Sequence, residues 1–143
     1  MSFSSCLVVM AGGALGTLGR YLVSVLAMPV SRGLPWGTIA INITGSFLIG
    51  FFGTLTLAQG RYPVSENLRL FVMIGICGGY TTFSSFSLQT LDLLRAGALG
   101  RACLNVALSV TLCVVAVAIG HLWAAQVNGH AAQVAQTSLE EEA

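Results

Sequence analysis

Four apolar runs, each long enough to cross a bilayer, leave this chain little choice of architecture. A hydrocarbon core about 30 Å thick takes roughly 20 apolar residues as a helix. Segments at about 6–28, 36–58, 68–94 and 102–125 meet that length. Short connectors rich in breakers and charge separate them: Pro29, Arg32, Gly33 and Pro35; then Arg61, Pro63 and Glu66; then Arg95, Gly97, Gly100 and Arg101. Within lipid every backbone N–H and C=O has to be satisfied by the chain itself, which restricts spanning structure to helices or a closed barrel. Runs this long read as helices. The expected fold class is an all-α integral membrane protein with four transmembrane helices, forming one domain over 1–127. Residues 128–143 end in Glu140-Glu141-Glu142 and offer no packing face, so they are expected to form a disordered tail.

Charge usage points the same way. Only 8% of the 143 residues are charged and 55% are hydrophobic, where a soluble domain carries about a quarter charged residues. The bilayer is therefore the expected solvent. Six arginines and no lysine give a net charge of +1, far from the clustered basic surface that nucleic-acid binding requires. No basic segment precedes the first apolar run, which reads as a retained span and not a cleavable signal. Cys6, Cys77, Cys103 and Cys113 form no C-x-x-C pair and read as small buried hydrophobes. With four spans both termini share one side, which also holds Arg61 and Arg69; Arg32, Arg95 and Arg101 lie on the other, with Arg20 a couple of turns into the first helix from that side. So even a distribution gives a weak orientation signal, as expected of a chain that inserts both ways or of one that is merely ambiguous.

The third span is the least uniform. Its centre reads Gly75-Ile76-Cys77-Gly78-Gly79-Tyr80-Thr81-Thr82-Phe83-Ser84-Ser85-Phe86-Ser87. Paired glycines followed by hydroxyl residues are poor helix formers, which predicts a break near Gly78–Thr81. Breaks at this depth often present carbonyls to an ion. A close contact through small residues, with no break, is the alternative.

Other polar residues fall into patterns. Gly12 and Gly16 make a G-x-x-x-G pair, a signal for close helix packing; no strand precedes them, so they are no nucleotide fingerprint. Arg20 lies within the first span, where an arginine faces water, finds a partner or snorkels; in a vestibule it would concentrate anions. Thr38, Asn42 and Ser46 share a face of the second helix at i, i+4 spacing. Asn42 either makes an interhelical hydrogen bond or donates to an anion along a path. Phe83, Phe86, Ser87 and Thr90 form a stripe on the third helix, and Asn105, Ser109 and Cys113 a series on the fourth. A phenylalanine ring has a positive edge that attracts an anion without a full charge.

Acids are scarce: Glu66 is in a connector, Asp92 near the end of the third span, and the others in the tail. Proton-coupled carriers commonly use a carboxylate at mid-membrane, so a passive anion path fits better than a pump. A small multidrug exporter would need an acid in its first span. A purely structural subunit would carry no flux. An enzyme is disfavoured: there is no G-x-S-x-G, and His121 reads as an interfacial residue.

Three blocks in order resemble the Fluc/CrcB family of small bacterial fluoride channels: Gly12-Gly13 through Gly16 to Arg20-Tyr21; Gly37-Thr38 to Asn42, then Gly45-Ser46-Phe47 and Gly50; and Gly78-Gly79-Tyr80-Thr81-Thr82-Phe83-Ser84. The resemblance covers all four spans. It implies a dual-topology, antiparallel homodimer in the bacterial inner membrane, with two pores through which fluoride leaves the cell passively. It further implies Asn42 as a pore-lining donor, Phe83 and Phe86 as rings flanking the path, Ser109 as a polar contact, and Arg20 near the pore. The backbone carbonyls of Gly78 and Thr81 would hold a structural sodium ion. The family pattern carries a tyrosine near position 105, where this chain has Asn105.

Overall fold

The computed structural model describes residues 2–57 and 62–141, with side chains described as far as Gly129. It contains four spans and, among the described residues, no strand. Helix α1 (Phe3–Ala27) closes with a 3-10 turn over Met28–Val30 at Pro29. Helix α2 covers Trp36–Leu55. The third span is two helices. Its first, α3, runs through Glu66–Arg69, widens to π-helical turns over Leu70–Cys77, and ends in Gly78–Tyr80. Its second, α4, covers Phe83–Arg95, and α5 begins at Leu99 and continues to Glu141.

The second span stops at Leu55, three residues short of the expected 58; of the residues beyond, 58–61 lie outside the described ones. A side chain from α3 accounts for the stop. Arg69 donates through Nη1 to Gly53 O at 3.2 Å, Thr56 O at 2.9 Å and Thr56 Oγ1 at 2.9 Å. A cation on the last carbonyls also suits the negative end of the helix dipole. Nearby, Thr54 Oγ1 bonds His121 Nδ1 at 2.8 Å, and Asn128 Nδ2 donates to Thr54 O at 3.0 Å. Asn128, expected to open a disordered tail, is thus anchored on α2. The rest of that tail falls on residues whose side chains lie outside those described, and its disorder stays an expectation.

Backbone contact through glycine holds the bundle. A Cβ on Gly12 would collide with Phe71 O of α3, one on Gly16 with Ile76 O, and one on Gly79 would lie 2.6 Å from Gly13 O. The widened turns of α3 bring those carbonyls against α1. Gly12, Gly16 and Gly75 are buried, as the G-x-x-x-G pattern predicts. A second seam joins α2 to α5, where Gly50 meets the Val117 backbone and Gly120 that of Phe47 and Phe51. Phe47, Phe51 and Trp123 cluster beside it, with centroids 5.4–5.9 Å apart. Of the cysteines, Cys77 is buried and Cys113 half-buried, but Cys6 and Cys103 lie on the outer surface. That corrects the expectation that all four are buried, because a helix in lipid tolerates a small apolar side chain on either face.

Candidate functional site

The break occurs one step later than the glycines suggest. Gly78 is helical (φ −65°, ψ −37°), whereas Thr81 (φ −75°, ψ 158°) and Thr82 (φ −153°, ψ 109°) are extended. Both expectations for this stretch therefore hold in part: Gly79 makes the close small-residue contact, and the two threonines make the break.

Four side-chain bonds stabilise it. Asn42 reaches across from α2 and takes both backbone groups of Thr82: its Nδ2 donates to Thr82 O at 3.0 Å, and its Oδ1 accepts from Thr82 N at 2.8 Å. Thr82 then caps α4 by accepting from Ser85 N at 3.1 Å through Oγ1, the usual role of threonine at a helix start. Thr81 Oγ1 donates back to Cys77 O at 2.9 Å. Asn42 thus makes the interhelical bond that sequence offered as one of two readings. One hydrogen on Nδ2 meets this partner, leaving the second for another acceptor.

These bonds have a consequence for two carbonyls. In an unbroken helix the amides of Thr82 and Ser85 would donate to Gly78 O and Thr81 O. Here those amides go to Asn42 Oδ1 and Thr82 Oγ1 instead. Gly78 is exposed and Thr81 half-buried, and both line the same groove.

That groove, about 380 Å³ in volume, also collects Asn42, Ser46, Phe83, Phe86, Ser109 and Cys113. The Phe83 and Phe86 rings stand 5.3 Å apart between centroids, tilted 45°. Phe86 is buried, but Phe83 is 77% exposed. Ser109 is 6% exposed and its Oγ has no protein partner. No carboxylate lines the groove. Its polar atoms are amide, hydroxyl and carbonyl, and its walls are rings and aliphatic side chains.

Arg20 stands apart. It is half-buried on α1 and is not among the residues lining the groove. His121 is exposed and bonded to Thr54, remote from the break in sequence and in contacts. Sequence reasoning missed the pairing of Asn42 with Thr82 and the buried state of Asn105. Asn105 is 0% exposed; its Nδ2 donates to Thr90 Oγ1 at 2.8 Å, and Thr90 Oγ1 donates to Phe86 O at 2.7 Å. The i, i+4 series through Asn105 and Ser109 was the available signal.

Residues 7–121 match the family described as CrcB-like protein, Camphor Resistance (CrcB). The chain is 72% identical over 142 residues, 99% of each chain, to the fluoride-specific ion channel FluC of Methylobacterium radiotolerans. It is 72% identical over 144 residues, 100% of each chain, to the FluC of Gluconobacter oxydans. The FluC of Methylocella silvestris is 56% identical over 121 residues, 84% of this chain and 92% of that one. With a match running from the first span into the fourth, and relatives this similar from end to end, the chain belongs to the Fluc/CrcB family.

Proposed function

We propose that this multi-pass membrane protein is a fluoride channel, through which fluoride leaves a bacterial cell across the inner membrane down its own gradient. The chain is not an enzyme: its relatives are named as channels. One observation supports the proposal most directly. The groove at the helix break gathers neutral donors and aromatic rings, with no carboxylate and no full positive charge. A small, strongly hydrated anion needs hydrogen bonds to replace its water, yet has to be released again, so several moderate contacts serve better than one strong one. In this reading Asn42 offers its second Nδ2 hydrogen, Ser109 its hydroxyl, and Phe83 and Phe86 their positive ring edges. Arg20 acts at a distance, through its charge.

A structural sodium ion belongs to the same reading, and the donor set suits it. Gly78 O and Thr81 O are uncharged hard oxygens whose helical donors are diverted elsewhere, the kind of unwound carbonyl that holds such cations in membranes. Two oxygens are too few for a hard cation, which takes six or so. A second copy related by a two-fold axis in the membrane plane would bring them to four, and in this reading the channel is an antiparallel homodimer with two pores. The exposed Phe83 and Gly78 then mark the face covered by that copy. When bound, sodium supplies positive charge that fixes the break; this chain's own contribution is to hold the two carbonyls free.

The test is fluoride release from liposomes carrying the purified protein, with chloride as the control. Fast release of fluoride alone, independent of a proton gradient, is expected. Vesicles that retain fluoride as well as empty ones do would refute the reading.

A further inference from the structure

One side-chain bond at the break lies outside the groove. Tyr80, the last residue of α3, brings its phenol Oη to within 3.0 Å of Thr44 Oγ1 on α2, and neither residue lines the groove. The phenol is the donor. Thr44 Oγ1 also stands 2.8 Å from Ala40 O and 3.2 Å from Ile41 O, carbonyls that can only accept, so its single hydrogen points back into α2. Thr44 lies near the middle of α2 and is exposed, and Tyr80 is half-buried. A phenol at that depth in hydrocarbon has no water to turn to, so its partner fixes where it points.

The ring is held as firmly as the hydroxyl. A Cβ on Gly45 of α2 would lie 3.3 Å from Tyr80 Cδ1, and one on Gly19 of α1 would lie 3.5 Å from Cδ2, so the two edges of the ring face two helices. The same Cβ on Gly45 would collide with Thr81 Cγ2. Helix α2 thus meets three successive residues of the break: Thr44 takes Tyr80, Gly45 takes Thr81, and Asn42 takes Thr82. The first two act on the last turn of α3. That turn is closed on itself by Cys77 O, which accepts from Thr81 N and from Thr81 Oγ1, both at 2.9 Å. Gly78 and Thr81 therefore move with Tyr80 as one piece.

We propose that Tyr80 is a positioning residue for the cation site: by donating to Thr44 it sets the rotation of the last turn of α3, and with it the directions of the Gly78 and Thr81 carbonyls. This rests on the reading of those carbonyls as a sodium site. Asn42 holds the chain beyond Thr81 and leaves that rotation open. The contact of Gly45 with Thr81 limits it by bulk alone, whereas a hydrogen bond is directional. Because both carbonyls belong to one rigid turn, a single bond governs the pair.

The experiment titrates sodium chloride against N-methylglucamine chloride at constant ionic strength and reads the melting temperature of the purified full-length protein. The proteins compared are the wild type, Tyr80→Phe, Thr44→Val, the double variant and Thr44→Ser. Each single loss of a hydroxyl is expected to raise the sodium concentration for half-maximal stabilisation about three- to tenfold, the range that an interhelical hydrogen bond in lipid represents. The double variant shifts no further than the larger single one, because the two hydroxyls make one bond. Thr44→Ser, which keeps the acceptor, restores most of what Thr44→Val loses. Melting temperatures lowered equally at every sodium concentration with the midpoint unmoved, or shifts that add in the double variant, would overturn the positioning role and leave the sodium site standing. A wild type whose melting ignores sodium would overturn both, while fluoride release from liposomes still decides the channel reading by itself.

Discussion

The α1–α3 seam and the α4–α5 seam join helices of the same bundle on opposite principles. In the first, backbone touches backbone: Gly12 and Gly16 meet Gly75 and Ile76, and Gly79 meets Gly13, with no room for a carbon added at Gly12, Gly16, Gly75 or Gly79. In the second, side chains meet, and three of their polar atoms are left without protein partners. Interfaces in lipid lack a hydrophobic drive and depend on close van der Waals contact, so the first seam, together with the glycine seam between α2 and α5, carries the fold. The second gives up some stability in unmatched polar atoms, which is what a path for water and ions requires. Stability and conduction should therefore respond to substitutions in different places.

The most severe break of that contrast is Gly16→Ala. Its new Cβ would overlap Ile76 O and lie 2.9 Å from Tyr80 N, both backbone atoms that cannot swing away. A loss of about 3 kcal/mol or more is expected, at the upper end for overpacking, and is read as a lower melting temperature and less folded protein on size exclusion. Gly100→Ala, with nothing within 4 Å, is the matched control and should melt like the wild type or up to about 1 kcal/mol higher. Should the two variants melt alike, the backbone seam is not what holds the bundle.

Asn42→Ala comes next, because it touches both functions. Removing the amide strips Thr82 of partners for its N–H and C=O, at a cost of about 1–3 kcal/mol for each group left buried and unmet. Fluoride release and thermal stability are both expected to fall. A variant that conducts normally after losing stability would confine Asn42 to a structural role.

Phe83→Ile separates the two seams more sharply. Phe83 is 77% exposed in the single chain, so the protomer's own packing hardly depends on it. A ring contact worth about 0.5–1.5 kcal/mol translates to a loss of about two- to tenfold in release rate. An unaltered rate would remove the ring from the path. The smallest effect is expected for Ser109→Ala: unchanged or slightly raised melting temperature, since an unmatched hydroxyl is removed, with release slowed by a few-fold. A marked drop in stability would mean that this hydroxyl has a partner in the assembled protein.

Much of this was legible beforehand. The four spans follow from run length, and a close backbone contact on α1 from the spacing of Gly12 and Gly16, because both signals are local; that the partner is α3 was not legible. The expected break, Gly78–Thr81, includes Thr81, but it was centred on the glycines and stopped short of Thr82. Glycine is flexible alone, yet when backbone presses on it from α1 it is held in a helix. The site residues Asn42, Phe83, Phe86 and Ser109 do line one groove. Arg20 does not. What escaped were bonds between distant residues: Asn42 with Thr82, Arg69 with the end of α2, Asn105 with Thr90. Each depends on which faces meet, and periodicity says only which face is polar.

The interrupted third span has one more consequence. A helix cut in two at mid-membrane presents both of its poles at one level: the negative end of α3, at Gly78 and Thr81, and the positive end of α4, capped by Thr82. Attraction for a cation and for an anion can then arise side by side from peptide dipoles alone. A chain with so few charges does not have to bury any of them in lipid to attract ions of either sign.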